Sequence, residues 1–382
     1  MRRRGSETLM RWSIALSMCA AIGAVLAQEP AFRWDIPAPF PKPPVRADNA
    51  MSTVKVQLGR RLFYDRRMSV TRQHSCASCH RQELAFTDGN ARAEGATGAV
   101  HPRSTMSLAN VAYNPALTWA NPTMTSLEDQ ALVPMFGTDP VEMGMKGQEE
   151  RFLREVKSDA VYQRLFPRAF YGVASPYTMQ NVVRAIAAFE RTLISMRSPY
   201  DRYRYGGELE AISESAKRGE MFFFSGQRGG CFQCHGGWNF NGEVRYDARP
   251  DVRASFFNTG LYNVAGVLSY PAPNTGIHQV THRTGDVGKF RPPTLRNIAV
   301  TAPYMHDGSI KTLGEVLDHY AAGGRTIHSG PYAGVGHDNA NKAPAVHGFS
   351  MTDQEKQDLI AFLESLTDTA FLRNPAFSNP WK

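Results

Sequence analysis

The chain has 382 residues, of which 42% are hydrophobic and 20% charged, and this length suggests two domains of ordinary size. The formal net charge of +8 overstates the charge of the folded protein. Residues 1–27 hold four arginines and one glutamate, a net +3, which leaves +5 for the rest. This charge gives no case for nucleic-acid binding.

The first 27 residues have the three parts of a secretory signal peptide. A start rich in arginine precedes the apolar stretch 14–26, and Val25-Leu26-Ala27 fits a small-residue cleavage site. Cys19 lies inside the apolar stretch, but Met18 before it is a poor lipobox residue, so lipid anchoring is the less favoured interpretation. No other segment approaches the ~20 continuous apolar residues of a membrane helix.

The first half of the mature chain shows two segments of helical periodicity. After a proline-rich leader over 28–50, apolar residues at positions 54, 58 and 62 predict a helix with Thr53 as its candidate N-cap. A second helix is predicted over 178–197. The polar stretch from Arg197 to Gly207 then marks the expected domain boundary.

The second half is predicted to contain three helices and two long loops. One helix covers about 210–224. Another begins at Thr312, carries Leu313, Val316, Leu317 and Tyr320 on one face, and ends at Gly323-Gly324. The last helix opens with a capping box. The loops cover 255–290, which also suggests short strands, and 325–350.

Two copies of one signature stand out, Cys76-Ala77-Ser78-Cys79-His80 and Cys231-Phe232-Gln233-Cys234-His235. Cys-x-x-Cys-His is the attachment site of c-type haem, in which both thiols bind the porphyrin and the histidine binds iron. A thioredoxin-like motif gives no reason for the histidine in both copies. A zinc ribbon would place its two cysteine pairs within roughly 15–20 residues of each other.

Two covalent haems make the chain a redox protein and favour export to the periplasm. Their four propionates would bring the net charge of the mature protein close to zero. We therefore expect a mainly α fold with two cytochrome c-like haem domains joined by long loops. The expected division is 1–27 signal peptide, 28–205 N-terminal haem domain and 206–382 C-terminal haem domain.

Three further segments resemble the bacterial dihaem cytochrome c peroxidase superfamily: FRPPTLRN at 290–297, TAPYMHDG at 301–308, and Thr312-Leu313. The similarity runs from about Leu58 to Leu366. In the peroxidases of that family, a methionine on the following helix is the second ligand of the C-terminal haem. Tyr320 takes that place here, which is typical of the MauG-like branch.

This resemblance implies that His235 and Tyr320 bind the iron of an electron-storing haem, and that His80 holds an open haem that reacts with peroxide. An anionic phenolate favours higher oxidation states than a thioether does. The alternative is a core tyrosine with a hydrogen-bonded hydroxyl. His319 is a rival ligand that lies about a third of a turn away from that face.

The peroxide pocket is predicted from a second resemblance, over Ser126 to Ala131 and Pro140 to Gly144. By that match Gln130 and Glu142 line the pocket of the first haem, and Pro134 joins the candidate catalytic residues. Cleavage of the O–O bond needs a proton moved between its two oxygens, which a carboxylate can carry. Without the match, Glu142 would be a solvated loop carboxylate.

Trp119 falls where the family has a tryptophan that relays electrons between the haems, although a lone tryptophan is more often core packing. The family commonly holds Ca²⁺ there, and Ser104 replaces its asparagine ligand, which leaves the metal open. The surface tryptophan of MauG enzymes corresponds to Gly229, so the electron exit route must differ, with Trp238 as a candidate.

The run Leu117 to Pro122, together with the Tyr320 helix, most resembles methanobactin-associated dihaem enzymes of the MbnH type. That resemblance implies H₂O₂-dependent oxidation of a tryptophan to kynurenine on a small exported partner protein, MbnP. The second hypothesis is a dihaem peroxidase that reduces H₂O₂ with electrons from a cytochrome or cupredoxin. The third is a dihaem electron carrier with both irons fully ligated.

Overall fold

Helices and connecting loops account for nearly all of the chain that the computed structural model describes, residues 31–266 and 268–381. The helices are Thr53–Phe63 (α1), Cys76–Cys79 (α2), Leu127–Phe136 (α3), Glu149–Ser158 (α4), Ala160–Ala169 (α5), Met179–Glu190 (α6), Pro199–Gly206 (α7), Glu214–Phe223 (α8), Phe232–His235 (α9), His278–Thr281 (α10), Leu313–Ala321 (α11), Asp353–Ser365 (α12) and Thr369–Leu372 (α13). A two-residue antiparallel pair joins Thr326–Ile327 (β1) to Gly334–Val335 (β2). The prediction of a mainly helical fold is confirmed, and the predicted signal peptide lies outside the described residues.

Buried side chains form one core in the first half and two in the second. The first core also takes Phe371 and Phe377 from the C-terminal end, while Tyr200 of α7 belongs to a core of the second half. Residues 32–382 group into one compact unit by their contacts. The division into two haem domains at residue 205 therefore stays a prediction. In the described part of the chain, no helix is both long and apolar enough to cross a membrane.

Helix ends follow the capping residues that the sequence offers. Thr352 caps its helix through the predicted capping box, and Thr312, predicted as the start of its helix, also caps it through a capping box. The expectation for Thr53 is wrong: Ser52 is the N-cap of α1, and its hydroxyl accepts a hydrogen bond from Lys55 N at 3.2 Å. Thr178 caps α6, which ends at Glu190 rather than near 197 because the chain turns there. Helices α4 and α5 have no counterpart among the predicted elements.

The two halves repeat one helix crossing beside their cysteine motifs. In the first half α1 crosses α6, and a Cβ on Gly59 would lie 1.8 Å from the carbonyl oxygen of Ala185. In the second half α8 crosses α12, and a Cβ on Gly219 would lie 2.0 Å from the carbonyl oxygen of Asp358. Glycine is required at both crossings because the backbones touch.

The same crossings bring a phenylalanine pair together one helical turn further on. Phe63 meets Phe189 with ring centroids 5.2 Å apart, and Phe223 meets Phe362 at 5.1 Å. All four rings are buried. Because α1 and α8 each lead into a haem motif, the crossing fixes the direction from which the chain enters that motif.

Replacing Gly219 by alanine should destabilise the protein by about 1–3 kcal/mol, because the added methyl group forces two helix backbones apart. Thermal unfolding of the haem-loaded protein measures this effect. Gly314→Ala in α11 is the matched control. Its Cβ would meet only the end of the Lys356 side chain at 3.4 Å, so stability should rise by about 0.5 kcal/mol. Equal melting temperatures for the two variants would contradict the account of the crossing.

Candidate haem and peroxide site

Each cysteine motif forms a single turn of helix. Cys76–Cys79 is α2, and Phe232–His235 is α9. Residues three apart lie on the same side of a helix, so both thiols of a motif can face one ligand. Burial raises the pKa of the Cys79 and Cys234 thiols to about 11, which keeps them as neutral thiols at pH 7. Among the described residues no three His, Cys, Asp or Glu side chains gather as a zinc site needs.

The histidine of each motif is held by a main-chain carbonyl. Nδ1 of His80 lies 2.7 Å from the carbonyl oxygen of Phe86, and Nδ1 of His235 lies 3.1 Å from that of Phe240. This contact fixes Nδ1 as the protonated nitrogen and leaves Nε2 for iron. Burial lowers the pKa of both rings, so each is neutral and ready to bind a metal.

The carbonyls that hold these rings come from strained backbone. Phe86 and Phe240 both have positive φ, 64° and 52°. Such values are uncommon for a bulky residue and persist only where the surrounding structure requires them. The strain occurs at the equivalent place in both halves, which indicates that presenting the histidine is the reason for it.

A cavity of about 1320 Å³, including its open mouth, lies beside the second motif. Its wall contains Cys231, Cys234 and His235, and the remaining wall is mostly apolar. Two thiols, a neutral imidazole with a free Nε2 and apolar walls are the groups that hold a c-type haem. The residues present therefore fit this cofactor.

Tyr320 lies in the wall of the same cavity, on the face of α11 that also carries Leu313, Val316 and Leu317. Its hydroxyl has no hydrogen-bond partner within the described part of the chain, unlike that of an ordinary core tyrosine. Burial is the main cause that raises its pKa above the usual 10, so ionisation needs a cation nearby. His319 is buried but does not line the cavity.

The first motif has carboxylates close by. Burial, followed by the negative charge of Glu190, raises the pKa of the Cys76 thiol, and Glu142 acts on both Cys76 and Cys79 in the same direction. Glu142 is half-buried, and burial raises its pKa above 4.5. Its Oε1 lies 4.0 Å from Nε2 of His101. A freely solvated loop carboxylate would show neither property.

Helix α3 and the segment that carries Glu142 are joined by hydrogen bonds. Met143 N donates to the carbonyl oxygen of Pro134 at 2.9 Å, and Met145 N donates to that of Met135 at 2.8 Å. Gln130 lies one helical turn before Pro134, half-buried and without a side-chain hydrogen bond among the described residues. The three candidate catalytic residues thus lie in one neighbourhood.

Trp119 connects the two halves. It comes from the first half of the chain, yet it lines the cavity beside His235. Its Nε1 donates to the carbonyl oxygen of Ser104 at 2.8 Å, and its own carbonyl accepts from Arg291 N at 2.9 Å. Both backbone groups of Ser104 are used, the second in a bond from its N to the carbonyl oxygen of His306. The expectation of Ca²⁺ at Ser104 gains no support from this arrangement.

Trp238 lies just beyond the second haem motif, packed against Tyr113 at 4.9 Å and Phe40 at 5.4 Å between ring centroids. It also lines a surface groove with Tyr205, Met221 and Phe224, among other residues. Gly229 lies in the cavity wall. Trp238 therefore has one side towards the surface and remains a candidate for electron exit.

Two buried charged residues were missed by the sequence analysis. Glu190 is 6% exposed, and burial raises its pKa to about 8. A signal existed, because Glu190 follows Val183 and Ile186 on the apolar face of α6. Arg291 is 4% exposed in the cavity wall, and its place in the FRPPTLRN segment gave no hint of that burial.

Comparison with known proteins defines the class. Residues 53–209 match the family of di-haem cytochrome c peroxidases. Cytochrome-c peroxidase IdrP1 of Pseudomonas sp. (strain SCT) is 37% identical over 86% of this chain and 85% of its own. The chain belongs to the di-haem cytochrome c peroxidase and MauG family. It is an oxidoreductase with two c-type haems and H₂O₂ as its oxidising substrate.

Within this family the chain is also similar to MauG-type proteins. The methylamine utilization protein MauG of Methylorubrum extorquens is 33% identical over 94% of each chain. The crystal structure of a MauG-like protein associated with microbial copper homeostasis superposes with a TM-score of 0.89 at 45% identity, over 92% of this chain and all of that one.

Proposed function

We propose that the protein is a periplasmic, MauG-type oxidase that uses H₂O₂ to oxidise a residue of a partner protein. The observation that carries this proposal is the Tyr320 hydroxyl, which lies in the cavity of His235 without a hydrogen-bond partner among the described residues. Two c-type haems, when bound at the two motifs, would supply the redox chemistry of H₂O₂ reduction and would store the two oxidising equivalents that result.

Tyr320 favours storage of oxidising equivalents over rapid electron acceptance. Burial holds its phenol neutral, so only a cation such as ferric iron makes its ionisation favourable. A phenolate from Tyr320 would hold the iron of a bound haem and would supply a ligand that favours its oxidised state. A cytochrome donor would reduce such an iron poorly. The equivalents are then available for a slower reaction with a residue of another protein.

Glu142, Gln130 and Pro134 are the residues we assign to peroxide. The Glu142 carboxylate accepts the proton from one peroxide oxygen and returns it to the leaving oxygen. The Gln130 side chain is free to hydrogen-bond the peroxide, and Pro134 fixes the position of the Glu142 segment through its carbonyl.

Trp119 is the residue we assign to electron transfer between the haem sites. It joins the cavity beside the second motif to the first half of the chain, and both its indole N–H and its carbonyl are held by hydrogen bonds. A fixed indole has little reorganisation to undergo when it gives up and regains an electron. This rigidity suits a relay.

The partner is inferred to be a small exported protein of the MbnP type, and the oxidised residue a tryptophan. Support comes from the similarity to a MauG-like protein associated with microbial copper homeostasis. Conversion of tryptophan to N-formylkynurenine adds two oxygen atoms and removes four electrons. Two H₂O₂ accept these four electrons and supply the two oxygen atoms, and two waters form. Hydrolysis then releases formate and leaves kynurenine.

A conventional dihaem peroxidase with a cytochrome or cupredoxin donor is the second candidate. The similarity to cytochrome-c peroxidase IdrP1 favours it. This candidate requires rapid H₂O₂ turnover with a reduced donor, whereas the proposed oxidase should turn over slowly with one. Steady-state assays with a reduced cytochrome c and a reduced cupredoxin decide between them, and fast turnover would overturn the proposal.

Tyr320→Phe should abolish the persistence of the oxidised state after H₂O₂ is added, because the phenolate that stabilises it is removed. Absorption spectra recorded over minutes after mixing measure this persistence. Tyr304→Phe is the matched control, since Tyr304 lines the same cavity but its hydroxyl donates to the carbonyl oxygen of Ile298 at 3.2 Å. If the oxidised state lasts equally long in both variants, the assignment of Tyr320 is wrong.

Glu142→Gln should slow the reaction of the ferric protein with H₂O₂ by about 10²–10⁴-fold, the usual contribution of a proton-transfer group. In the unsubstituted protein the rate should rise with pH as the carboxylate forms. The midpoint should lie above 4.5 because burial raises this pKa. Stopped-flow rates across pH test this. Glu150→Gln, at a 93% exposed side chain, should change nothing. An unchanged pH profile in Glu142→Gln would contradict the assignment.

A further inference from the structure

Arg291 carries a buried positive charge in the wall of the His235 cavity. Arg291 is 4% exposed, and among the described residues its guanidinium contacts only neutral acceptors. Nη1 lies 3.2 Å from the carbonyl oxygen of Pro292, Nε lies 3.4 Å from that of Thr118, and Nη2 lies 3.8 Å from the sulfur of Met106. Two of these contacts are at the long end of hydrogen-bond geometry.

No carboxylate of the described residues lies within 4 Å of this guanidinium, although Arg191 and Arg296, which are buried to a similar degree, are both paired with acids. Arg296, five residues along the chain, contacts both oxygens of Asp201, at 2.7 and 2.9 Å. Arg191 contacts Glu128 at 2.8 Å. Burial alone lowers the pKa of Arg291 to about 10, with no acid raising it.

A buried charge without a counter-charge is costly, so a folded protein either neutralises it or pairs it. Arginine stays protonated at neutral pH even with a pKa of about 10, which leaves pairing as the outcome. The described protein offers no anion there. The cavity that Arg291 lines fits a c-type haem, and each haem carries two propionate groups. A propionate is an anion whose two oxygens match the fork of a guanidinium.

We propose that Arg291 pairs with a propionate of the haem held by His235, and that this pair sets the reduction potential of that haem. The inference rests on the two haems of the family and adds a potential-setting residue to the proposed function. Arg291 acts through the propionate and is therefore a positioning residue. Arg291 has no assigned role in the reaction with peroxide or in binding of the partner protein.

The same residue also ties the haem to the relay tryptophan. The main-chain N–H of Arg291 donates to the carbonyl oxygen of Trp119, while its Nε contacts the carbonyl oxygen of the preceding residue, Thr118. A guanidinium paired with the propionate would thus connect the haem to the Trp119 backbone through one residue. The distance for electron transfer between Trp119 and the haem held by His235 would therefore stay constant.

The test is an EPR-monitored redox titration of the purified two-haem protein, which needs neither peroxide nor a partner. Arg291→Gln leaves the propionate negative charge unopposed, so it should disfavour reduction of the His235 haem at least tenfold, about 59 mV for one electron. Arg291→Lys keeps a cation and should stay within about threefold of the unsubstituted protein. Haem content of each variant shows that it has folded.

Arg103→Gln is the control for a general effect of removing positive charge. Arg103 lies near Phe290, the residue before Arg291, with its Cζ 5.8 Å from the centroid of the ring. Its acceptors are the amide oxygens of Asn274 and Gln279. It does not line the cavity, so its removal should shift the equilibrium less than about threefold. A shift as large in Arg103→Gln, no shift in Arg291→Gln, or equal shifts in Arg291→Lys and Arg291→Gln would each overturn the pairing.

The Arg291 pairing and the storage role of Tyr320 are tested by different measurements, so either can be wrong without the other. The potential of the His235 haem is measured in the resting protein, whatever that protein oxidises. If Tyr320→Phe keeps the oxidised state while Arg291→Gln lowers the potential, the pair stands and the storage role of Tyr320 falls. The reverse result leaves the oxidase and removes the pair.

Discussion

One hydrogen bond, repeated in both halves, determines how this protein can hold its cofactors: a main-chain carbonyl binds Nδ1 of the motif histidine. The bond fixes which nitrogen faces the iron, and it is made at the cost of positive φ at Phe86 and Phe240. The repeated glycine crossings at Gly59 and Gly219 set the direction from which the chain enters each motif. The two halves are thus equivalent on the side of the histidine.

The two halves differ in the residues that lie opposite the motif histidine, and the proposed chemistry depends on this difference. The cavity beside the second motif holds the buried guanidinium of Arg291 and Tyr320, whose hydroxyl has no hydrogen-bond partner in the part of the chain that the structure describes. The first motif has the half-buried Glu142 nearby. Tyr320 and Arg291 suit adjustment of the reduction potential at the second motif, whereas the Glu142 carboxylate suits proton transfer at the first. The same helix-and-motif arrangement can therefore serve two different tasks, because the residues opposite the histidine differ.

The sequence predicted the parts of this arrangement that depend on local patterns. The motif spacing gave both haem sites, and helical periodicity placed Tyr320 on the inward face of α11. A capping box located the start of α12. The burial of Arg291 could not be predicted, because it depends on which chain segments cover that residue. The glycine crossings were missed because a glycine in a helix gives no sign of the backbone that touches it. The burial of Glu190 did leave a signal in the periodicity of α6.

The central claim is that the phenolate oxygen of Tyr320 is the second ligand of the iron held by His235. A crystal structure of the haem-loaded ferric protein tests it most directly. The account predicts continuous density between the Tyr320 oxygen and that iron, with no protein side chain bound opposite His80. A methionine sulfur or the His319 ring on the second iron, or two protein ligands on both irons, would contradict it.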